Sequence, residues 1–445
     1  METTIKRAEK FSQSITMKAI IIGFLTLLML IPGVMIQDLI TERQKRSEET
    51  IEKINAKWSN AQTINGPVLV IPYTSSITDE KNVVKVENHS LYLAPETLNI
   101  NARLIPEERH YGIYKSILYK SEMDISGKFK KLDIQLPANC LIDWKAAYIR
   151  IGISDLRGIT NNLDFVFNGS HFVAETGGTS DVIGQGLVIA IKNPDLLQSQ
   201  NALSFRCNLK LNGSSNINFI PLGKTTQVQM AGAWSAPGFI GSFTPEYSLN
   251  DKGFNAKWNI LHFNRNIPEA WTDNKIQSFD DSSFGVNLVD TLDHYQQNMR
   301  SAKYAFMFIA LTFVVFFFVE VLTKKKIHPI QYLLVGIALI LFYSLLLSIS
   351  EQLNFGIAYL LASIATIGLI AVYAHSIFKN KTQTGILTVV LGVLYLFLYV
   401  VLQLEDIALL IGSIGLFIIL GIIMYFSRKI NWYKQDEAEE PEIIE

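Results

Sequence analysis

Three acidic side chains stand where apolar stretches of this sequence end: Glu351 after Ile330 to Ser350, and Glu405 with Asp406 between Thr384 to Leu402 and Ile407 to Phe426. Carboxylates gathered at the mouth of a helix bundle would draw in cations or protons. Short loops that are simply wet and polar would leave the same pattern. His328, Gln331 and Tyr332 occupy the start of the stretch from Ile330, with Tyr343 further in. Polar groups placed there bond one membrane helix to another. Glu320, the one charge between Tyr304 and Leu322, precedes Lys324 by four residues. That spacing suits an ion pair on one helix face, with the lysine reaching toward the boundary.

Other chemistry does not assemble. Pro221-Leu222-Gly223-Lys224-Thr225 resembles the end of a phosphate-binding loop, but the glycine required five positions before Gly223 is Asn218 and a strand-like segment follows. Gly177-Gly178 and Gly184 to Gly186 read as a flexible loop rather than a ligand cradle. The histidines at 89, 110, 171, 262, 294, 328 and 375 include no pair at metal-ligand spacing, counted by position along the chain rather than in space. No Gly-x-Ser-x-Gly elbow occurs. No catalytic residue, metal ligand set or cofactor is assigned, and the expectation is a protein that is not an enzyme. Cys140 and Cys207 fall in the same polar region, where an oxidising compartment permits a disulfide; two separate buried thiols are the alternative.

The elements that hold these residues follow from hydropathy. Of 445 residues 49% are hydrophobic and 18% charged, a mixture that requires segregation into apolar and polar regions. Ala19 to Ile36 runs without a charge and is long enough to cross a hydrocarbon core about 30 Å thick at about 1.5 Å per residue. It ends without a small-x-small cleavage site, so it reads as an uncleaved anchor, with Pro32 and Gly33 placed to kink it. Five further spans are expected at 304–322, 330–350, 355–374, 384–402 and 407–426. The fold class is a six-helix α-helical membrane bundle with a large inserted β-rich domain. The parts are a cytoplasmic N-terminus (1–18), helix 1 (19–40), the inserted domain with membrane-proximal helices (41–302), the five-helix bundle (303–427) and an acidic tail (428–445).

Basic residues of short loops collect on the cytoplasmic side. Lys6, Arg7, Lys10, Lys18, Lys324 to Lys326, Lys379, Lys381, Arg428, Lys429 and Lys434 share one side, while Glu351 to Asn354 and Gln403 to Asp406 carry none. Arg43, Lys45, Arg46, Arg300 and Lys303 on the opposite side weaken the signal there, and the later helices decide it. Both termini are therefore expected in the cytoplasm and residues 41–302 in the periplasm. Thr41 to Asn60 reads as a helix continuing the first span. Beyond Gly66 short alternating segments appear, among them Val68 to Tyr73, Val83 to Val86, Tyr111 to Tyr119, Ala147 to Ile153, Leu163 to Phe167, Leu187 to Ile191, Ser204 to Leu211 and Gln227 to Ala231. They suggest a mainly antiparallel β domain, two packed sheets being one arrangement this pattern allows. Thr291 to Ala302 reads as helical again. The net charge of −1 excludes a nucleic-acid partner, because phosphate binding needs a concentrated basic surface.

Several stretches carry a family resemblance: Gly66-Pro67-Val68-Leu69-Val70-Ile71-Pro72-Tyr73, Phe239 to Pro245, Gly253 to Trp258, Ile327-His328-Pro329-Ile330-Gln331-Tyr332 through Gly336, Phe342-Tyr343, Ser348 to Glu351, and Glu405 to Ser413. Together they resemble the CreD inner-membrane (cell envelope integrity) family along nearly the whole chain. Gln352 departs from the histidine common there after Ser-Glu, which removes support for a proton relay at that position. The resemblance implies an inner-membrane protein linked to envelope stress, colicin tolerance and β-lactam response. Two functions follow as expectations. The first is a non-enzymatic role in envelope integrity, with the inserted domain contacting envelope proteins or lipids and the bilayer holding the bundle. The second is a transporter or lipid-handling protein using the bundle and its acidic outer residues. A sensor is disfavoured by the short cytoplasmic segments.

Overall fold

The computed structural model describes residues 15–78, 84–130, 139–180, 183–197, 202–273, 279–288, 294–323, 325, 327–404 and 407–428. The chain divides into two compact units, Met1–Ser47 with Leu292–Glu445 and, inserted between them, Glu48–Thr291. The expected domain, 41–302, extended further at both ends; the structure assigns those flanking segments to the helical unit.

The helical unit begins with α1 (Ile15–Leu28) and the part of α2 (Leu30–Trp58) up to Ser47, the rest of α2 belonging to the inserted unit. They are interrupted only at Met29, one turn before Pro32, whose ring lacks the N–H that would bond back to Leu28. Bonds from Met29 N–H to Leu25 O (3.0 Å) and from Gly33 N–H to Met29 O (3.2 Å) carry the helical path across. After the inserted domain come α3 (His294–Lys303), α4 (Ala305–Thr323), α5 (Pro329–Ser350), α6 (Phe355–Phe378), α7 (Lys381–Gln403) and α8 (Ala408–Ser427). Among the described residues six helical segments are long and apolar enough to cross a membrane, α1 and α2 together forming the first. Their outward side chains, such as Leu360, Val372 and Phe417, are exposed in the manner of lipid-facing surfaces, because in lipid a helix satisfies its own backbone and turns apolar groups outward.

The inserted unit is β-rich. Its strands are β1 (Gln62–Thr78), β2 (Val84–Leu93), β3 (Thr97–Tyr111), β4 (Tyr114–Phe129), β5 (Cys140–Ile142), β6 (Tyr148–Ile153), β7 (Asp164–Phe167), β8 (Ser170–Val173), β9 (Glu175–Ser180), β10 (Gly184–Ala190), β11 (Leu203–Ser214), β12 (Asn216–Ile220), β13 (Thr225–Gly232), β14 (Gly238–Gly241), β15 (Glu246–Asn250), β16 (Gly253–Leu261), β17 (Ala270–Thr272) and β18 (Phe284–Asn287). One sheet has ten strands, with the main path β14-β18-β12-β1-β6-β10-β9; the other has eight, ordered β15-β16-β13-β3-β4-β11-β7-β8. Pairing is mostly antiparallel, with two parallel exceptions, β1 with β12 and β3 with β13.

The inner faces share one core that includes Leu69, Ile149, Ile125, Phe165, Leu209 and Trp258. β1 is covered on both faces: Leu69 and Ile71 enter that core, while Val68 and Val70 join Tyr92, Trp271 and Phe279 on the other side. Burial on both faces explains the unbroken apolar run from Val68 to Ile71.

Two expectations are corrected here, and one pair of alternatives is resolved. The segment Tyr111 to Tyr119 is not one strand: the chain reverses at Gly112, whose φ of +62° favours glycine, so Tyr111 closes β3 and Tyr114 opens β4. Gly177, Gly178 and Gly184 to Gly186 lie in paired strands rather than a flexible loop. A Cβ on Gly177 would meet Val188 Cγ2 at 2.4 Å, and one on Gly186 would meet Ile151 O at 2.1 Å, so glycine permits the close approach. Arg150, buried, bonds to Gly184 O at 2.6 Å and to Gly178 O. Finally, Cys140 and Cys207 are unpaired and lie in different sheets. Cys207 faces the shared core, where burial and then the Asp124 carboxylate push its thiol up to about 12.

Candidate functional site

The sequence around residue 328 builds a helix start before it builds a site. Pro329 opens α5, where its missing N–H costs no intrahelical bond. His328 Nδ1 accepts from Ile330 N–H at 3.3 Å, and Gln331 Oε1 accepts from His328 N–H at 2.9 Å, a reciprocal cap. Tyr332, in the first turn of α5, is buried and donates to Glu320 Oε2 at 2.8 Å. Glu320 is only 2% exposed, and its Oε1 also accepts from Ile327 N–H at 3.1 Å and from Lys18 Nζ.

The expected partner of Glu320 was Lys324, which lies outside the described residues. The structure pairs it instead with Lys18 of α1, far away in sequence. A buried carboxylate is costly unless compensated, and here an ammonium, a phenol and a backbone amide converge on it from α1, α5 and the turn before α5. Phe313 and Phe316 pack edge-on against the Tyr332 ring, at 5.7 and 6.1 Å.

The other end of α5 holds a second cluster. Tyr295 Oη donates to Glu351 Oε1 at 3.3 Å, and Asn298 Nδ2 to Ser350 Oγ at 2.7 Å, tying α3 to α5. Glu405 and Asp406, the other members of the expected acidic mouth, lie outside the described residues. With 22 residues, α5 is about 33 Å long, so Glu351 and the group around His328 form no single site. Between them Tyr343 is buried beside Phe342 (4.9 Å), whose ring also meets Tyr395 at 4.8 Å and Tyr359 at 5.5 Å. Tyr359 Oη donates to Tyr395 O at 2.7 Å. Of the four residues expected to bond helix to helix, Tyr332 does so through Glu320, His328 and Gln331 cap their own helix, and Tyr343 is placed by ring packing.

A third arrangement escaped the sequence reading. On the outer face of the eight-stranded sheet, Cα register places Glu246, Lys257, Gln229, Asn101, Asp124 and Asn208 in one row across six adjacent strands. All six side chains belong to exposed residues. At about 4.8 Å between strands the row spans about 24 Å. The next row runs Asn255, Ala231, Arg103, Glu122, Lys210. The small side chain of Ala231 between Asn255 and Arg103 leaves a depression, and a cleft of about 810 Å³ opens over the two rows. A neighbouring cleft of about 510 Å³ shares Arg103, Ala231 and Asn255 and continues over Gly232 and Gly253. Within the face, Asn208 Nδ2 donates to Asp124 Oδ1 at 3.0 Å and Lys210 pairs with Glu122 at 3.0 Å. The alternation in β11 and β13 was legible, but β3, β15 and β16 do not stand out as strands in the sequence, and the register of these polar positions follows only from long-range pairing of β3, β13 and β16. Among the described residues no group of three or more His, Cys, Asp or Glu is placed to hold a metal ion.

The family model for inner membrane protein CreD matches residues 14–433. The chain belongs to the CreD family. It is 30% identical over 412 residues to inner membrane protein CreD of Escherichia coli (strain K12), covering 92% of this chain and 91% of that protein. CreD membership and six apolar helices make it a multi-pass inner-membrane protein. Among solved structures, native yeast LTA4 hydrolase aligns with a TM-score of 0.19 at 7% identity, over 50% of this chain and 35% of that one, a likeness that carries no argument about fold.

Proposed function

We propose that this CreD-family chain helps to maintain the cell envelope without catalysing a reaction, acting through its inserted β domain on the periplasmic side with both termini in the cytoplasm. The observation that carries this reading is the open polar cleft on the β domain, set against a helical unit whose buried Glu320 is already compensated. The distribution of Lys and Arg in the short segments supports the orientation. Envelope-stress response and colicin tolerance, implied by the family resemblance, belong to the same proposal. The test is deletion of the gene followed by detergent and colicin challenge. Altered sensitivity restored by the wild-type chain is expected; unchanged sensitivity, or turnover of lipid or peptidoglycan by the purified protein, overturns the reading.

A second reading, lipid or small-solute handling by the bundle, has one observation in its favour. An apolar groove of about 390 Å³ lies between α4, α7 and α8, lined by residues such as Val315, Phe318, Val390 and Ile419. It would accept an acyl chain. Full envelope resistance in a variant carrying Glu351→Gln, Glu405→Gln and Asp406→Asn would reject the transport version that depends on the acidic outer residues.

A further inference from the structure

We infer that the cleft on the eight-stranded sheet binds a neutral glycan strand of the N-acetylhexosamine type, an inference that rests on the envelope reading and names the partner of the same domain. Backbone groups inside a sheet are used up by the ladder, so recognition on its face falls to side chains, whereas an extended peptide is taken up at a strand edge. The cleft presents Asn101, Asn208, Gln229 and Asn255. Each amide offers two N–H donors and a carbonyl acceptor, a combination that suits vicinal hydroxyls and acetamido groups, which also both donate and accept. Asp124, oriented by the Asn208 amide, adds a carboxylate able to accept from two hydroxyls.

Charge selects among polymers. Arg103 and Lys257 face Glu122, Asp124 and Glu246 across the same cleft, so the lining lacks the concentrated positive field a polyanion requires. The mixed polar lining equally disfavours an acyl chain, for which the apolar groove in the helical unit is the better match. The step in the floor at Ala231 and Gly232 gives a small apolar surface beside the amides, which is what an acetamido methyl needs once its N–H and C=O are paired. The strand spacing, about 4.8 Å, is close to the advance per sugar in an extended glycan, so successive residues can meet equivalent side chains along the row.

The experiment is titration of the full-length protein in lipid nanodiscs with chitohexaose, followed by calorimetry, with maltohexaose as the arm that has the hydroxyls but lacks the acetamido groups. Saturable binding of chitohexaose, weaker by at least tenfold for maltohexaose, is expected. Ala231→Arg, which fills the depression, and the pair Asn101→Ala with Gln229→Ala, which leaves it open, should each reduce affinity at least tenfold. No binding of chitohexaose, equal binding of maltohexaose, or unchanged affinity in both variants overturns the inference. The gene-deletion challenge separates the two levels: failed glycan binding with envelope sensitivity still rescued by the wild type removes the glycan and leaves the envelope reading standing.

Discussion

The helical unit turns Glu320 inward onto Lys18, Tyr332 and the Ile327 amide, whereas the β domain turns Glu246, Lys257, Gln229, Asn101, Asp124 and Asn208 outward along one row. Where water is excluded a charge persists only if neighbouring groups compensate it, so polar residues there report on how helices are joined. On an exposed sheet face water does that work, and the side chains remain available to a ligand. The same residue types thus mean cohesion in one region and recognition in the other. Asp155 of the β domain stands between these extremes. It is buried, accepts from Asn60 N–H at 2.9 Å and from Arg157 Nη2 at 2.7 Å, while Arg157 Nη1 reaches Ala56 O, one of the last carbonyls of α2, at 2.7 Å.

The largest effect should come from uncovering the buried carboxylate. Lys18→Met leaves Glu320 with Tyr332 and the Ile327 amide alone, and should destabilise the helical unit by about 3 to 5 kcal/mol, with Glu320→Gln milder because an uncharged amide needs less compensation. Thermal unfolding in detergent measures both; a Lys18→Met protein as stable as wild type would break the contrast between the buried carboxylate of the helical unit and the outward row of the β domain.

The intermediate effect concerns Asp155, whose carboxyl is held down at about 2, chiefly by the Arg157 side-chain bonds. A depressed folded value means stability that is fully present above the unfolded value of about 3.9 and is lost as pH falls toward 2. Asp155→Asn should cost about 2 kcal/mol at neutral pH, and the gap between wild type and variant should close between about pH 4 and pH 2. Denaturation of both proteins across that window tests it, and a constant gap would show that Asp155 contributes through shape rather than charge.

The smallest effect is expected in the cleft. Asn101→Ala should change stability by no more than about 0.5 kcal/mol, since its side chain is exposed and outside the core. A clear loss of stability in the same unfolding measurement would make the outward row structural and erase the distinction.

Much of the fold was legible along the chain. The apolar spans stand out because a helix in lipid must be apolar for about twenty consecutive residues, and β11 reads directly from its alternation of buried and exposed positions. The long strand β3 does not stand out in the sequence because Asn99, Asn101, Arg103 and Pro106 dilute its strand character, although Leu98, Ile100, Ala102 and Leu104 all point into the core. The cleft was invisible for a related reason: its amides are unremarkable one at a time and become a surface only when six strands align.

The sequence by itself determined which segments are apolar enough to enter a membrane, that a polar β-rich domain interrupts them after the first, and where α5 begins, since these depend on local composition and on a cap made by neighbours. Tertiary structure alone decided that Glu320 meets Lys18 across helices, that Cys140 and Cys207 occupy different sheets, and that Gln229 lies beside Asn101. Those outcomes depend on packing and strand register between residues distant in the chain, where many pairings satisfy the same local pattern and only the assembled core selects one.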